Sequence, residues 1–357
     1  MKLFSKTLVA LATSMSLMIA GASSVNAEEK TEFKLAWSIY VGWMPWGWAA
    51  DQGIVDKWAD KYDIEIEVVQ FNDYIESINQ YTAGAFDGVT ATNMDTLAIP
   101  SVGGVDTTAL IVGDFSNGND ALILKGADSL DAVLGQNVNL VELSVSHYLL
   151  ARALETLGKA EKDVTVVNTS DADMIAAYQT DDVTAVVTWN PLVAEILETP
   201  GSNKVFDSSD IPGEIMDLTV VNTETLADNP AFGKALAGAW YETMSIMLSD
   251  TPEGAAARAA MGEASGTDLA GYDMQLASTQ MFATASDAVT FTTSESVTST
   301  MESVRTFLFE RGLLGEGASS PDIVGIAFPD GSVLGDEGNV KFRFNADYMS
   351  MAADGSL

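Results

Sequence analysis

Short apolar strands alternate with longer helical segments through the first half of the chain, and few folds are compatible with this order. The first strands are predicted at 33–37, 64–69 and 88–92, with helices at 46–62 and 73–83 between them. The strand segments are rich in alternating or β-branched apolar residues, and the segment 73–83 ends at a glycine. A β-α-β-α-β order is typical of a parallel sheet with helices on its faces. The sequence therefore predicts an α/β protein.

A second series of the same kind follows, and it suggests a second lobe. Its strands are predicted at 121–124, 137–141, 164–167 and 183–188, with helices at 146–157 and 171–179, and a returning strand at 217–221. The remaining chain is predicted to be helical at 230–248, 253–261, 268–282 and 295–311, followed by a Gly/Asp-rich tail with one strand at 340–344. We expect lobe one at 28–118 plus 217–357, lobe two at 119–216, and a C-terminal extension of lobe one at 328–357.

The first 27 residues have the features of a secretory signal peptide. Lys2 and Lys6 precede an apolar segment at 8–20, and Val25-Asn26-Ala27 supplies the small residues of a cleavage site. The apolar segment is too short to span a membrane, and a lipid anchor on cysteine is excluded because the chain has 0 Cys. We therefore expect a cleaved signal peptide at 1–27 and a soluble protein in a bacterial periplasm.

The charge balance and the cysteine count exclude several classes of function. With 51 acidic and 17 basic residues the formal net charge is -34, whereas nucleic-acid-binding proteins need a basic surface. The same acidic excess opposes binding to anionic membranes. The chain has 0 Cys and 1 His, which excludes thiolate nucleophiles, iron–sulfur clusters and multi-histidine metal sites. We therefore expect no nucleic-acid partner, no cofactor, no metal site and no catalytic residues.

Four segments of the chain resemble motifs of one protein family. They are the aromatic loop at 40–46, the turn Tyr-Thr-Ala-Gly-Ala-Phe-Asp-Gly at 81–88, the segment 142–147, and the strand and turn at 181–191. In this order after a signal peptide, they resemble the periplasmic substrate-binding proteins of ABC importers, and among these the nitrate/sulfonate/taurine and thiamine-pyrimidine group. The clustered tryptophans after residue 42 and the run Thr-Trp-Asn-Pro at 188–191 are most similar to a subgroup encoded beside urea carboxylase-type enzymes. That subgroup is associated with urea or guanidine transport.

The resemblance implies a fold and a set of partners. The fold is a two-lobe periplasmic-binding-protein fold of type II, with two parallel-type sheets flanked by helices, a two-strand hinge, and a helical C-terminal portion that completes lobe one. The implied protein is a monomeric receptor that closes on a small ligand in the interlobe cleft and delivers it to a membrane permease driven by an ATPase. Relatives that make a thiamine pyrimidine use a Cys-rich motif, which a chain with 0 Cys lacks, so enzymatic activity is not expected.

The loops beyond the carboxyl ends of the strands are the candidate ligand site, because ligands of open parallel sheets bind there. None of these loops contains a lysine or an arginine, but they contain several carboxylates and tryptophans. A planar guanidinium ion donates its in-plane N–H groups to carboxylates and presents its faces to aromatic rings. We therefore predict a guanidinium-type ligand, with urea or a small anion such as taurine, a sulfonate or nitrate as the alternatives. The predicted ligand-binding residues are Trp43, Trp46, Asp73, Asp95, Asp120, Glu142, Trp189 and Asp217.

Most of these residues also have a structural interpretation. At least one of the clustered tryptophans is expected in the core, and Asp73 and Asp95 each precede a segment that they could cap. Asp120 lies beside a Ser-Asn-Gly turn, and Trp189 follows an apolar strand. Glu142 ends a predicted buried strand, where a carboxylate needs a partner. The sequence leaves these alternatives open.

Overall fold

A computed structural model of the protein describes residues 30–315 and 317–357. The signal peptide predicted at 1–27 lies outside the described residues. None of the helices in these two ranges is long and apolar enough to cross a lipid bilayer. The strands are β1 (Glu32–Ser38), β2 (Glu65–Phe71), β3 (Gly88–Thr92), β4 (Thr107–Ser116), β5 (Ala121–Lys125), β6 (Asn137–Leu140), β7 (Thr165–Asn168), β8 (Ala185–Thr188), β9 (Ser202–Asp207), β10 (Met216–Asn222), β11 (Thr279–Met281), β12 (Gly325–Ala327), β13 (Val333–Leu334) and β14 (Val340–Phe344). The α-helices are α1 (Met44–Asp51), α2 (Ile54–Asp60), α3 (Tyr74–Thr82), α4 (Asn93–Thr96), α5 (Val145–Thr156), α6 (Asp171–Tyr178), α7 (Leu192–Leu197), α8 (Thr223–Asp228), α9 (Pro230–Met247), α10 (Pro252–Ala264), α11 (Leu269–Leu276), α12 (Ala285–Thr292), α13 (Glu295–Glu310) and α14 (Asp347–Asp354).

The strands of the described residues form two sheets, as the α/β prediction requires. Sheet one has the order β13-β12-β14-β4-β10-β3-β1-β2, with β11 paired to β4, and sheet two has the order β7-β6-β8-β5-β9. Both sheets are mixed and not purely parallel. Strand β10 runs antiparallel to β3 and β4, and β5 runs antiparallel to β8 and β9. The chain reaches each reversed strand from the other sheet and not through a crossover helix, so the rule that keeps β-α-β strands parallel does not apply to it.

The chain passes between the two sheets twice. The first crossing, residues 117–120, joins β4 to β5, and the second crossing, residues 208–215, joins β9 to β10. The Oγ atoms of Ser116 and Ser208 are 2.6 Å apart, and the backbone N–H of Gly118 donates to Ser208 Oγ at 2.8 Å. Hydrogen bonds therefore tie the two crossings to each other. We propose these crossings as the boundaries of the two predicted lobes.

Two predicted helices differ from the structure for identifiable reasons. The helix predicted at 46–62 is split into α1 and α2 by Gly53, whose φ of 70° is left-handed and ends α1. The helix predicted at 268–282 ends at Leu276, and the chain continues into β11, which pairs with the end of β4. The strand predicted at 340–344 is present as β14. It pairs in parallel with β4, so the tail at 328–357 contributes to sheet one.

Strand β4 lies in the interior of sheet one and carries polar residues at its carboxyl end. It is paired with β10 on one side and with β14 and β11 on the other. The run Ala109–Val112 is fully buried, as expected for a strand covered on both faces. Because the strand continues to Ser116, the polar residues at its carboxyl end are carried into the buried region as well.

Candidate functional site

A small cavity lies where the carboxyl ends of sheet-one strands meet sheet two. It encompasses about 250 Å³ of space not filled by protein atoms, part of which is open to solvent. The lining residues come from β3, β8 and β10, from the loop after β1, from the starts of α3 and α5, and from the first crossing. They are Tyr40, Trp43, Tyr74, Thr92, Asp120, Val145, Trp189 and Asp217.

Four aromatic side chains form a continuous wall of this cavity. The ring centroids of Tyr40 and Trp43 are 4.9 Å apart, those of Trp43 and Tyr74 are 5.5 Å apart, and those of Tyr74 and Trp189 are 5.6 Å apart. The four residues are at most 6% exposed. Trp189 follows β8 of sheet two, whereas the other three belong to segments around sheet one. The wall therefore spans both sheets and offers ring faces to a ligand between them.

Two carboxylates and a threonine form a polar row across three neighbouring strands at the site. Asp217 on β10 lies directly opposite Asp114 on β4 and directly opposite Thr92 on β3. Asp114 is fully buried and Asp217 is 3% exposed. The hydroxyl of Tyr40 donates to Asp114 Oδ1 at 2.9 Å, but the Oδ2 atoms of both acids have no hydrogen-bond partner in the described part of the chain. Directly opposed like charges in a sheet are unfavourable, so this pair requires compensation.

The pKa values of these acids are raised, chiefly because they are buried. Burial raises the pKa of Asp114 to about 7 in spite of the hydrogen bond from Tyr40, and the negative charge of Asp120 acts in the same direction. Burial and the negative charges of Asp114 and Asp120 raise the pKa of Asp217 well above its usual value. A cation in the cavity would lower the pKa of both acids, because a nearby positive charge favours their charged forms.

Asp120 connects the cavity to the first crossing. It is 3% exposed, and its Oδ2 accepts a hydrogen bond from Ser116 Oγ at 2.6 Å. Burial raises its pKa to about 7, and the nearby negative charge of Asp95 acts in the same direction. The carboxylate is therefore held by a side chain at the end of β4 while it faces the cavity.

Asp95 lies behind the aromatic wall and orients it. Its Oδ2 accepts hydrogen bonds from the Tyr74 hydroxyl at 2.7 Å and from Thr92 Oγ1 at 2.9 Å, and the backbone N–H of Val145 lies 3.4 Å from the same oxygen. Val145 is the first residue of α5, so this contact joins the two sheets' segments across the cavity. Burial raises the pKa of Asp95 to about 6.

The site contains four buried acids, and none of the lining residues is a lysine or an arginine. Within residues 30–315 and 317–357, no group of three or more acidic or histidine side chains is placed to hold a metal ion. The arrangement can therefore bind a small organic cation by hydrogen bonds from its edges and by ring contacts with its faces.

The structure brings together five of the eight predicted site residues. Trp43, Asp120, Trp189 and Asp217 line the cavity, and Asp95 contacts three lining residues from behind.

The other three predicted residues lie elsewhere. Trp46 is fully buried in the core, where its Nε1 donates to Thr219 Oγ1 at 3.1 Å and its ring packs against Trp240. Asp73 caps α3 by accepting a hydrogen bond from the backbone N–H of Glu76 at 2.8 Å. Glu142 is exposed and lies between the end of β6 at Leu140 and the start of α5 at Val145.

Sequence reasoning missed Tyr40, Tyr74 and Asp114 as individual site residues. All three lie in or beside segments that the strand-end rule selects, but a tyrosine at a helix start is ordinarily a core residue. The site also requires a glycine at position 42, because a Cβ atom there would lie 2.6 Å from Asp114 Oδ2 and 2.5 Å from the Tyr40 ring. Only glycine allows the aromatic loop to approach the acid this closely.

Comparison with known proteins agrees with this fold. The structure is similar to that of the alkanesulfonate-binding protein SsuA from Xanthomonas axonopodis pv. citri, with a TM-score of 0.66 and 15% identity over 81% of this chain and 96% of that chain. It is also similar to the nitrate-binding protein NrtA from Synechocystis PCC 6803, with a TM-score of 0.56 and 14% identity over 92% of this chain and 99% of that chain. These similarities establish the two-sheet periplasmic-binding-protein fold.

Sequence comparison identifies the family. The taurine-binding periplasmic protein of Escherichia coli K12 is 27% identical over 132 residues, a match that spans 36% of this chain but only 40% of that relative. The sequence model of the NMT1-like family matches residues 26–262, which include both crossings and every residue that lines the cavity. The chain therefore belongs to the NMT1-like family.

Proposed function

We propose that this protein is the solute-binding receptor of an ABC importer, and that it captures a small guanidinium-type cation in the cavity between its two sheets. The first part is supported by the family, by the fold, and by the relatives whose names describe periplasmic binding of taurine, alkanesulfonates or nitrate. The proposed receptor works in the periplasm as a monomer, delivers its ligand to a membrane permease and its ATPase, and carries out no reaction.

The ligand class is argued from one observation: buried carboxylates and aromatic rings surround a cavity without a basic side chain. Asp120 and Asp217 line it, and Asp114 lies directly opposite Asp217. A planar cation with N–H groups along its edges satisfies such oxygens in pairs. Its weakly hydrated faces fit against Trp43 and Trp189.

A small anion is the second candidate, because the named relatives bind taurine, alkanesulfonate and nitrate. Uncharged donors at the cavity are few: the Tyr40 hydroxyl is committed to Asp114, and the Tyr74 hydroxyl is committed to Asp95. Of the lining groups, Trp43 Nε1 is a buried donor without a partner. An anion would face several carboxylates at short range, which opposes binding by a few kcal/mol. Urea is neutral, so we expect its affinity to lie between that of a cation and that of an anion.

The test is isothermal titration calorimetry of the mature protein with guanidinium chloride, methylguanidinium, urea, taurine and nitrate, each at millimolar concentrations or below. We expect guanidinium to bind most tightly and to be recovered unchanged after incubation, as judged by mass spectrometry. Binding of taurine or nitrate in the absence of guanidinium binding would refute the proposed ligand class. Chemical conversion of the bound compound would refute the receptor assignment.

A further inference from the structure

The directly opposed acids Asp114 and Asp217 form a carboxyl pair that the proposed function does not yet explain. Resting on that function, we infer that the pair holds one proton in the empty cavity and that the bound cation takes its place, so that capture of the ligand releases a proton to solvent. The site then exchanges one positive charge for another. Its selectivity for a monocation follows from this exchange.

The geometry of the pair requires a shared proton when no cation is present. The two residues face each other across the antiparallel strands β4 and β10, where opposed side chains start from Cβ atoms about 5 Å apart. Asp114 is 0% exposed and Asp217 is 3% exposed, so water cannot screen two negative charges there. Tyr40 donates to one oxygen of Asp114, which leaves Oδ2 of each acid without a donor. One proton between the acids satisfies this deficit and removes one of the two charges.

Among residues 30–315 and 317–357, no group near the pair supplies the missing positive charge. The titratable groups that face the pair are Tyr40 from the loop after β1, Asp120 from the first crossing, and Tyr272 from α11. Burial keeps the pKa of Tyr40 and of Tyr272 well above the usual value, so both hydroxyls stay neutral. Asp120 adds a third negative charge and not a counter-charge. Burial and the charge of Asp120 therefore favour retention of the proton, and they outweigh the hydrogen bond from Tyr40, which favours the charged form.

The exchange separates charged ligands from neutral ones. A guanidinium ion that donates to Asp217 replaces the proton as hydrogen-bond donor and as positive charge, and the proton leaves to the buffer. Urea brings N–H groups but no charge, so the pair keeps its proton when urea occupies the same space. The number of protons released on binding is therefore a measure of ligand charge, independent of affinity.

The experiment is calorimetric titration of the mature protein with guanidinium chloride at pH 6 to 7 in buffers of different ionisation enthalpy. The dependence of the observed heat on the buffer gives the number of protons released. We expect about one proton per guanidinium ion and an affinity that rises up to ~10-fold per pH unit until the pair is ionised. Urea should release none. Guanidinium binding without proton release would overturn this inference and leave the proposed function intact, whereas absence of guanidinium binding would overturn the function itself.

Two variants and a control assign the proton to the pair. In Asp217→Asn and in Asp114→Asn the release should fall to less than about half of the wild-type value, because one amide donates permanently to the remaining acid. The control is Asp171→Asn, since Asp171 also has a pKa raised to about 6 by burial but does not line the cavity. Unchanged release in both pair variants would overturn the assignment. A difference infrared spectrum of the wild type gives a second reading: the absorption band of a protonated carboxyl group should disappear when guanidinium binds, and its persistence would contradict the exchange.

Discussion

Truncation of Trp189 is the most direct test of how the two sheets share a ligand. Trp189 is 6% exposed, lines the cavity, and packs edge-on against Tyr74 with ring centroids 5.6 Å apart. It is the aromatic residue of the wall that follows a strand of sheet two. Its replacement by alanine removes both the ring face that covers the ligand and the aromatic contact that closes the cavity.

The expected loss follows from these two contacts. A cation–π contact in a desolvated site contributes about 2 kcal/mol, and an aromatic pair contributes about 0.5–1.5 kcal/mol beyond its buried area. In the proposed closure of the two sheets on the ligand both contacts form together, so both are lost from the binding free energy. Trp189→Ala should therefore weaken guanidinium binding by about 2.5–3.5 kcal/mol, or about 70- to 400-fold. Trp189→Phe keeps a smaller ring face and should lose only about 10-fold.

Calorimetry of the two variants and of the wild type measures this loss. The matched control is Trp58→Phe, since Trp58 lies on α2, donates to Glu242 Oε2 at 2.7 Å and does not line the cavity. The control should bind guanidinium with wild-type affinity. If Trp189→Ala binds within threefold of the wild type, the ligand does not lie against this ring and the reasoning from the aromatic wall is refuted.

Further predictions concern the supports of the site. Tyr74→Phe keeps the ring but removes two hydrogen bonds, the one that the hydroxyl donates to Asp95 and the one that it accepts from the backbone N–H of Thr92. Thermal unfolding should show a melting temperature about 3–6 °C lower, from a loss of about 2–4 kcal/mol, and an unchanged value would refute the proposed hydrogen-bond role. Asp73→Ala should cost about 1 kcal/mol of stability through the lost helix cap, with unchanged affinity by calorimetry; weaker binding would return Asp73 to the site. Gly42→Ala should destabilise the protein by about 1–3 kcal/mol and weaken guanidinium binding, because its Cβ would meet Asp114; wild-type behaviour in both assays would show that the loop adapts. Raising the pH from 5 to 8 should lower the melting temperature of the ligand-free protein by on the order of 5 °C. The folded state keeps protons on acids whose pKa is raised to about 7 by burial, whereas the unfolded chain releases these protons near pH 4, so the folded state loses stability as the pH rises. A melting temperature that rises over this range would contradict the pKa assignment.

The sequence predicted the order of strands and helices well, because apolar periodicity and helix caps are local signals. The strand-end rule then selected the loops that contain Asp217 and Trp189, and both residues line the cavity. It could not reveal that β10 is reversed, because direction within a sheet depends on how the chain enters it from the other sheet. The opposition of Asp217 and Asp114 follows from that reversal and was therefore not predictable.

The residues that were misplaced show where local reasoning fails. The apolar run of β4 ends at Val112, but the strand continues to Ser116, so the apolar pattern alone does not place Asp114 within a strand. Glu142 followed an apolar run and was predicted to be buried, yet Leu143 after it has a left-handed φ of 67°, which turns the chain toward solvent. Trp43 and Trp46 are the same residue type in the same aromatic segment, and only tertiary packing decides which one lines the cavity.

Asp120 gives the proposed receptor an unusual kinetic property. Its carboxylate faces the cavity, and through Ser116 it is bonded to Ser208 on the other crossing. The ligand would therefore contact the same few residues about which the sheets would have to rotate. Escape of the ligand and rotation of the sheets then pass through one common barrier. For the proposed receptor we therefore expect the residence time of the ligand to equal the lifetime of the closed form, so that a permease that opens the receptor would release the ligand in the same event.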